Sequence, residues 1–218
     1  MALLDFSGKN ALVIGGTSRV GLEIASLLAA EGASVTVTGR TYSGNLPFIQ
    51  TDFEADFDVS FSDVEEKVRE TDILVVCYGP FVRKSLDSTD SADWKKLALC
   101  DYALPGMLVS SALSGMVPRK WGRIVLFGGT RTESVRAYKS NAAYAGAKTG
   151  LSVIVKSVSS EYRSKGITCN AILPGFMNNP PEEKVFVDKK LVAKEVIHLI
   201  QNKELNGVLL NIDCGWAP

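Results

Sequence analysis

The chain has 218 residues, 46% hydrophobic and 22% charged, a length that suits one large α/β domain and a composition that argues against disorder. Lys+Arg and Asp+Glu each total 24, so a formal net charge of zero gives no electrostatic ground for a nucleic acid or an anionic membrane as partner. Cys77, Cys100, Cys169 and Cys214 show no CxxC spacing and His198 is the single histidine, which speaks against a metal site and predicts four buried, reduced thiols. The start, Met1-Ala-Leu-Leu-Asp5, lacks the pattern of a signal peptide, and no apolar stretch reaches about 18 residues. A soluble cytoplasmic protein without a transmembrane helix is the expectation.

Apolar runs alternate with helical patterns along the whole chain. Ala11–Ile14 reads as a short buried strand closed by Gly15-Gly16. Val20, Ile24, Leu27 and Leu28 then recur at helical spacing, and Gly32 ends that helix. Ser34–Thr38 is a β-branched second strand, and Phe48–Thr51 a short third. Ser62–Arg69 reads as a short polar helix, and Asp72–Cys77 as a buried strand stopped by Gly79-Pro80. A long helix is predicted from Ser91 to about Val117, kinked or broken at Pro105. The strand Arg123–Phe127, the helix Ala142–Arg163, the strand Ile167–Ile172, the helix Asp188–Gln201 and the strand Val208–Ile212 complete the series. Such alternation predicts a doubly wound parallel sheet of Rossmann type with helices on both faces. It predicts one dinucleotide-binding domain over residues 1–218, with a substrate-side segment at about 173–190. Gly15, Gly79, Gly128 and Gly175 follow strands, and in this architecture those ends line the ligand crevice, which makes Tyr78-Gly79 and Pro174-Gly175 candidate ligand contacts.

The first such turn is Gly15-Gly16-Thr17-Ser18-Arg19-Val20-Gly21. Glycines permit a tight turn and close approach of phosphate, and the helix that follows offers free N–H groups and a partial positive charge. The second strand runs into Gly39-Arg40-Thr41, where NAD sites carry an acid for the ribose 2′-hydroxyl. A guanidinium here suits a 2′-phosphate instead, so NADPH is expected over NADH, with Arg19 as a second phosphate donor.

Tyr144 and Lys148 stand four apart in a helical pattern and so share a face. An ammonium beside a phenol is expected to lower its pKa, letting the pair exchange a proton with a carbonyl or alcohol oxygen. In this context the chain resembles the short-chain dehydrogenase/reductase family over nearly its whole length. The resemblance rests on the glycine turn 15–21, Asp52, Asp72–Val75, Trp94, Gly122–Val125, Tyr144-xxx-Lys148, Asn170–Gly175 and Asp213-Cys-Gly215. It implies a nicotinamide cofactor, a small carbonyl or alcohol substrate, and a homodimer or homotetramer built on the two long helices. It also implies that Asp52 holds the adenine and Lys148 the nicotinamide ribose. Ile172, Pro174 and Gly175 would flank the nicotinamide, and Asn179 stands where a Thr often bonds its carboxamide.

Four departures qualify the resemblance. The middle glycine of the turn is Arg19, and Val76-Cys77-Tyr78-Gly79 replaces the usual Asn-Asn-Ala-Gly. Asp101 stands for the family's Asn on the lysine relay, where its charge would favour a salt bridge with Lys148. The catalytic Ser has no counterpart: the strand alignment puts Gly129 there, leaving Thr130 or Thr132, and less well Ser134, to supply the hydroxyl. Phe81, Tyr138, Phe176 and Met177 are candidate pocket walls, and Arg136 with Tyr138 suits a planar or anionic substrate. The expected function is NADP(H)-dependent hydride transfer between nicotinamide and a carbonyl or alcohol; the alternative is a dinucleotide-binding sensor or scaffold that has lost turnover.

Overall fold

The computed structural model describes residues 5–17, 19–177 and 186–216. Seven parallel strands form one sheet, β1 (Asn10–Ile14), β2 (Ser34–Gly39), β3 (Phe48–Gln50), β4 (Ile73–Val76), β5 (Gly122–Phe127), β6 (Ile167–Pro174) and β7 (Leu209–Ile212), in the order β3-β2-β1-β4-β5-β6-β7. Among the described residues six α-helices flank it: α1 (Arg19–Ala30), α2 (Phe57–Glu70), α3 (Ser91–Ala98), α4 (Leu104–Arg119), α5 (Ala142–Glu161) and α6 (Lys189–Gln201). This is the doubly wound, Rossmann-type arrangement read from the sequence.

The central strands are apolar throughout because both their faces are covered. Successive side chains point to opposite faces, so Leu12, Ile14, Leu74, Val76, Ile124 and Leu126 join the core beneath α2, α4 and α5. Ala11, Val13, Ile73, Val75, Val125 and Phe127 alternate with them and meet α1 and α6. Asp56 caps α2 by accepting from the Val59 N–H, Asp90 forms a capping box at α3, and Asp188 caps α6. The cap on α2 explains why that helix starts at Phe57 rather than at Ser62.

The long helix differs from a kinked rod. Its break is a π-helical turn, Leu99–Ala103, where the Leu104 N–H reaches the Leu99 carbonyl. Pro105 lies just after it, in the first turn of α4, and because the chain enters α4 from helical backbone its missing N–H leaves a carbonyl of the preceding turn without its helical donor, which the wider turn accommodates. The run Ser91–Arg119 is long and apolar enough to cross a membrane by length and composition, contrary to the sequence expectation. Here it is a core element: Leu104, Leu108, Ala112 and Met116 are fully buried. The cysteines are also a partial correction. All four are free, but Cys214 is exposed and only Cys100 and Cys169 are buried outright.

Candidate functional site

A cleft of about 580 Å³ opens at the carboxyl ends of the strands, where the strand order reverses between β1 and β4. The β1–α1 turn forms its floor. Gly15 sits at φ +81°, a conformation that a side chain would strain, and a Cβ on it would come within 3.1 Å of the Tyr78 backbone. A Cβ on Gly21 would lie 2.2 Å from the Gly15 carbonyl oxygen, so the helix start packs directly on the turn. No acidic side chain occupies the first turn of α1, so no carboxylate there competes with an anion for the positive end of the helix. Thr17, Arg19 and Val20 line the same floor. Arg19 takes φ +54°, the left-handed conformation that the family's glycine would adopt without strain.

The far end of the cleft is walled by Arg40 and Asp52. Arg40 is exposed, and the Asp52 carboxylate accepts from the Glu54 and Ala55 N–H groups at 3.2 Å, which holds the β3–α2 turn against the opening. Thr41 is exposed and lies outside the cleft wall. Thr51, Phe53 and Glu54 belong to that wall and carry no motif that would have marked them. Tyr78 and Gly79 close the middle, and the Tyr78 hydroxyl is buried. Ser18 and Asn179 lie outside the described residues.

Tyr144 and Lys148, one helical turn apart on α5, both face the cleft. Lys148 is 4% exposed; its Nζ donates to the Phe127 carbonyl at 3.0 Å and lies 2.9 Å from Asp101 Oδ1. The π-turn aims Asp101 at that ammonium, which is the one cation it meets at contact distance among the described residues. Gly79 leaves room for this pair, since a Cβ there would sit 2.2 Å from Asp101 Oδ1. Burial pushes the Asp101 carboxyl above the usual carboxylate range, with Lys148 pulling it back. The Tyr144 phenol is also pushed up, first by burial and then by the Asp101 charge. The expectation that Lys148 draws the phenol down is not met, because its ammonium is engaged by Asp101 and the Phe127 carbonyl. Phe81 packs edge-on against the Tyr144 ring at 4.8 Å.

Beyond Tyr144 lies a second cavity of about 260 Å³, shared by Arg19, Phe81, Tyr144, Pro174 and Met177 with the cleft. Thr130, Thr132, Tyr138 and Gly175 line it. The two threonines spend their hydroxyl protons on the backbone: Thr130 donates to the Pro174 carbonyl and Thr132 to the Gly129 carbonyl, both at 2.8 Å. Ser134 is exposed and lines neither space. Gly129 is the residue against Tyr144, for a Cβ on it would fall 3.3 Å from the Tyr144 hydroxyl. Trp216 was not singled out in the sequence, yet it lines this cavity and packs on Phe176 at 5.3 Å. Asn141, at the N-cap position of α5 but without a side-chain capping bond, lines it as well. An Asn just before a helical pattern is a capping signal, and that would have marked it.

The sequence profile of the short chain dehydrogenase family matches residues 9–190. The chain belongs to the short-chain dehydrogenase family. This short-chain dehydrogenase is 28% identical over 202 residues to 2-dehydro-3-deoxy-D-gluconate 5-dehydrogenase of Formosa agariphila, covering 85% of this chain and 76% of the relative. It is 30% identical over 191 residues to 3-oxoacyl-(acyl-carrier-protein) reductase of Escherichia coli, covering 80% of this chain and 75% of that one. A solved structure described as a short chain dehydrogenase/reductase family protein superposes with a TM-score of 0.87 at 27% identity, over 97% of this chain and 98% of the other. Membership makes the protein an oxidoreductase that uses a nicotinamide dinucleotide on a small-molecule alcohol or carbonyl. The cleft fits that group: a glycine floor that admits no side chain, a helix start with no acidic side chain in its first turn for the pyrophosphate, and guanidinium groups at Arg19 and Arg40 for phosphate.

Proposed function

We propose that the protein is an NADP(H)-dependent reductase of a small carbonyl compound, with Tyr144 as proton donor. The observation that carries this reading is that Tyr144 borders both the dinucleotide cleft and the cavity beyond it. A bound nicotinamide would supply the hydride. Arg40 would grip the 2′-phosphate, where an acid would select NADH. The α1 N-terminus and Arg19 would hold the pyrophosphate, and Lys148 the nicotinamide ribose. Tyr144 would give its proton to the substrate oxygen as hydride arrives at the carbon. A phenol raised by burial is protonated at neutral pH, the form that a proton donor to a carbonyl oxygen requires. The half-exposed groove between α4 and α5, with Val153 63% exposed, supports self-association through those helices.

Paired titrations with NADPH and NADH, read by nicotinamide fluorescence, test the cofactor. Turnover is then screened with simple ketones, keto sugar acids and 3-oxoacyl thioesters, the last two suggested by the relatives' names. Tight NADPH binding, weak NADH binding and turnover that Tyr144→Phe abolishes without loss of cofactor are expected. Full activity in Tyr144→Phe overturns the role of Tyr144. The glycine at position 129 and the Asp101–Lys148 pair favour a second reading, binding without turnover. NADPH that binds tightly and is oxidised by no member of the panel would establish it.

A further inference from the structure

The position facing the Tyr144 hydroxyl is Gly129, so no side chain there can polarise a substrate oxygen. The neighbouring hydroxyls are committed: Thr130 to the Pro174 carbonyl, Thr132 to the Gly129 carbonyl and Tyr138 to the Arg131 carbonyl. Asn141 differs from all of them. It lies one turn before Tyr144, lines the same cavity, and makes no capping hydrogen bond to its own helix. Its Oδ1 is buried with no hydrogen-bond partner among the described residues. A buried polar atom left in this state costs roughly 1–3 kcal/mol and calls for an explanation. A ligand hydroxyl that donates to this oxygen would complete it, and the amide N–H beside it is a donor of the kind the missing hydroxyl would have supplied.

We propose that the Asn141 side-chain amide takes the place of the missing catalytic hydroxyl, holding and polarising the substrate oxygen beside Tyr144. The inference rests on the reductase reading above. An amide suits the task because it carries both a donor and an acceptor. Its N–H donates to a carbonyl oxygen and to the negative charge that grows there as hydride arrives. Its oxygen, the atom without a partner, accepts from the hydroxyl of the alcohol formed, so the one amide offers a group to each end of the reaction. Because it is neutral, it adds no second charge near the Asp101–Lys148 pair.

The test measures kcat/KM and NADPH affinity for Asn141→Ala, Asn141→Asp, Gly129→Ser and the Gly129→Ser/Asn141→Ala double variant, with the best carbonyl of the panel. NADPH affinity should stay at the wild-type value in all four, which also shows that they fold. Asn141→Ala should lower kcat/KM by about 100-fold, the loss typical of one oxyanion donor. Asn141→Asp should be no better, since a carboxylate accepts but cannot donate. Gly129→Ser should restore at least about tenfold to Asn141→Ala, because its hydroxyl would stand beside Tyr144 after a slight shift of that ring. Asn141→Ala within about threefold of wild type overturns the proposal. So does a wild type without turnover that becomes active on Gly129→Ser alone, because nothing then replaces the hydroxyl. NADPH binding with no turnover in wild type or in Gly129→Ser overturns the reductase reading itself, and the role of Asn141 with it.

Discussion

Replacing Arg19 by glycine should move stability and cofactor affinity in opposite directions. Arg19 holds φ +54° at the first position of α1. The left-handed conformation costs a side chain-bearing residue about 1–2 kcal/mol, and glycine takes it freely. Glycine returns part of that gain through the entropy of the unfolded chain, about 0.4–1 kcal/mol, so a net stabilisation of about 1 kcal/mol is expected. In a chain of this size that corresponds to about 2–4 °C in Tm. Urea unfolding of the apo protein should show a higher midpoint at unchanged slope. NADPH affinity should fall, because one charge-assisted hydrogen bond to phosphate disappears, a loss of about 1.5–3 kcal/mol in general. Arg19 is exposed, so the lower figure applies and the dissociation constant should rise about tenfold. Arg19→Ala is the control: it keeps the strain and loses the guanidinium, so its affinity should drop with no gain in stability. An apo Arg19→Gly protein no more stable than wild type would refute the strain argument. Unchanged NADPH affinity would refute the phosphate role.

Two further perturbations address the buried charges. Asp101→Asn keeps the shape of the side chain and removes the second cause that raises the Tyr144 phenol. A negative neighbour disfavours phenolate, so its removal lowers the phenol pKa, and the rising limb of the pH–rate profile for alcohol oxidation should move to lower pH. A limb that stays in place, or moves up, counts against the coupling. The same variant reports on stability: a carboxyl raised by folding stabilises the native state below its unfolded pKa and loses that contribution as pH rises through the folded value. Urea midpoints should therefore fall less for Asp101→Asn than for wild type between acid and neutral pH. At the opposite end of the sheet, Arg123 donates from Nη1 to the Gly122 and Gly166 carbonyls and from Nε to the Ile200 carbonyl. Arg123→Met fills similar space but strands those acceptors, and should destabilise by roughly 2–4 kcal/mol in urea while leaving NADPH affinity unchanged.

The two-faced apolar strands and the helical repeats between them were enough to determine the parallel sheet, because burial on both sides demands unbroken runs such as Ile73–Val76. The glycine turn and the Tyr144–Lys148 spacing are local, and a local pattern states its own geometry: a tight turn, or one shared helix face. Helix starts were less legible, since the cap on α2 is a side chain-to-backbone bond from Asp56 that the apolar pattern of that helix does not record. What only the tertiary structure decided depends on groups far apart in the chain. Asp101 and Lys148 are 47 positions apart and meet because a π-turn in one helix faces the other across Gly79. Gly129 comes against Tyr144 where the loop after β5 folds back through Thr132 onto the Gly129 carbonyl, while Thr130 is tied to the Pro174 carbonyl of β6, which takes both hydroxyls out of competition. Trp216 reaches the substrate cavity from the end of the chain only because β7 lies beside β6. Spacing along a chain fixes which residues share a helix or a strand; which hydroxyl keeps its proton, and which charge neutralises which, is settled by packing between elements.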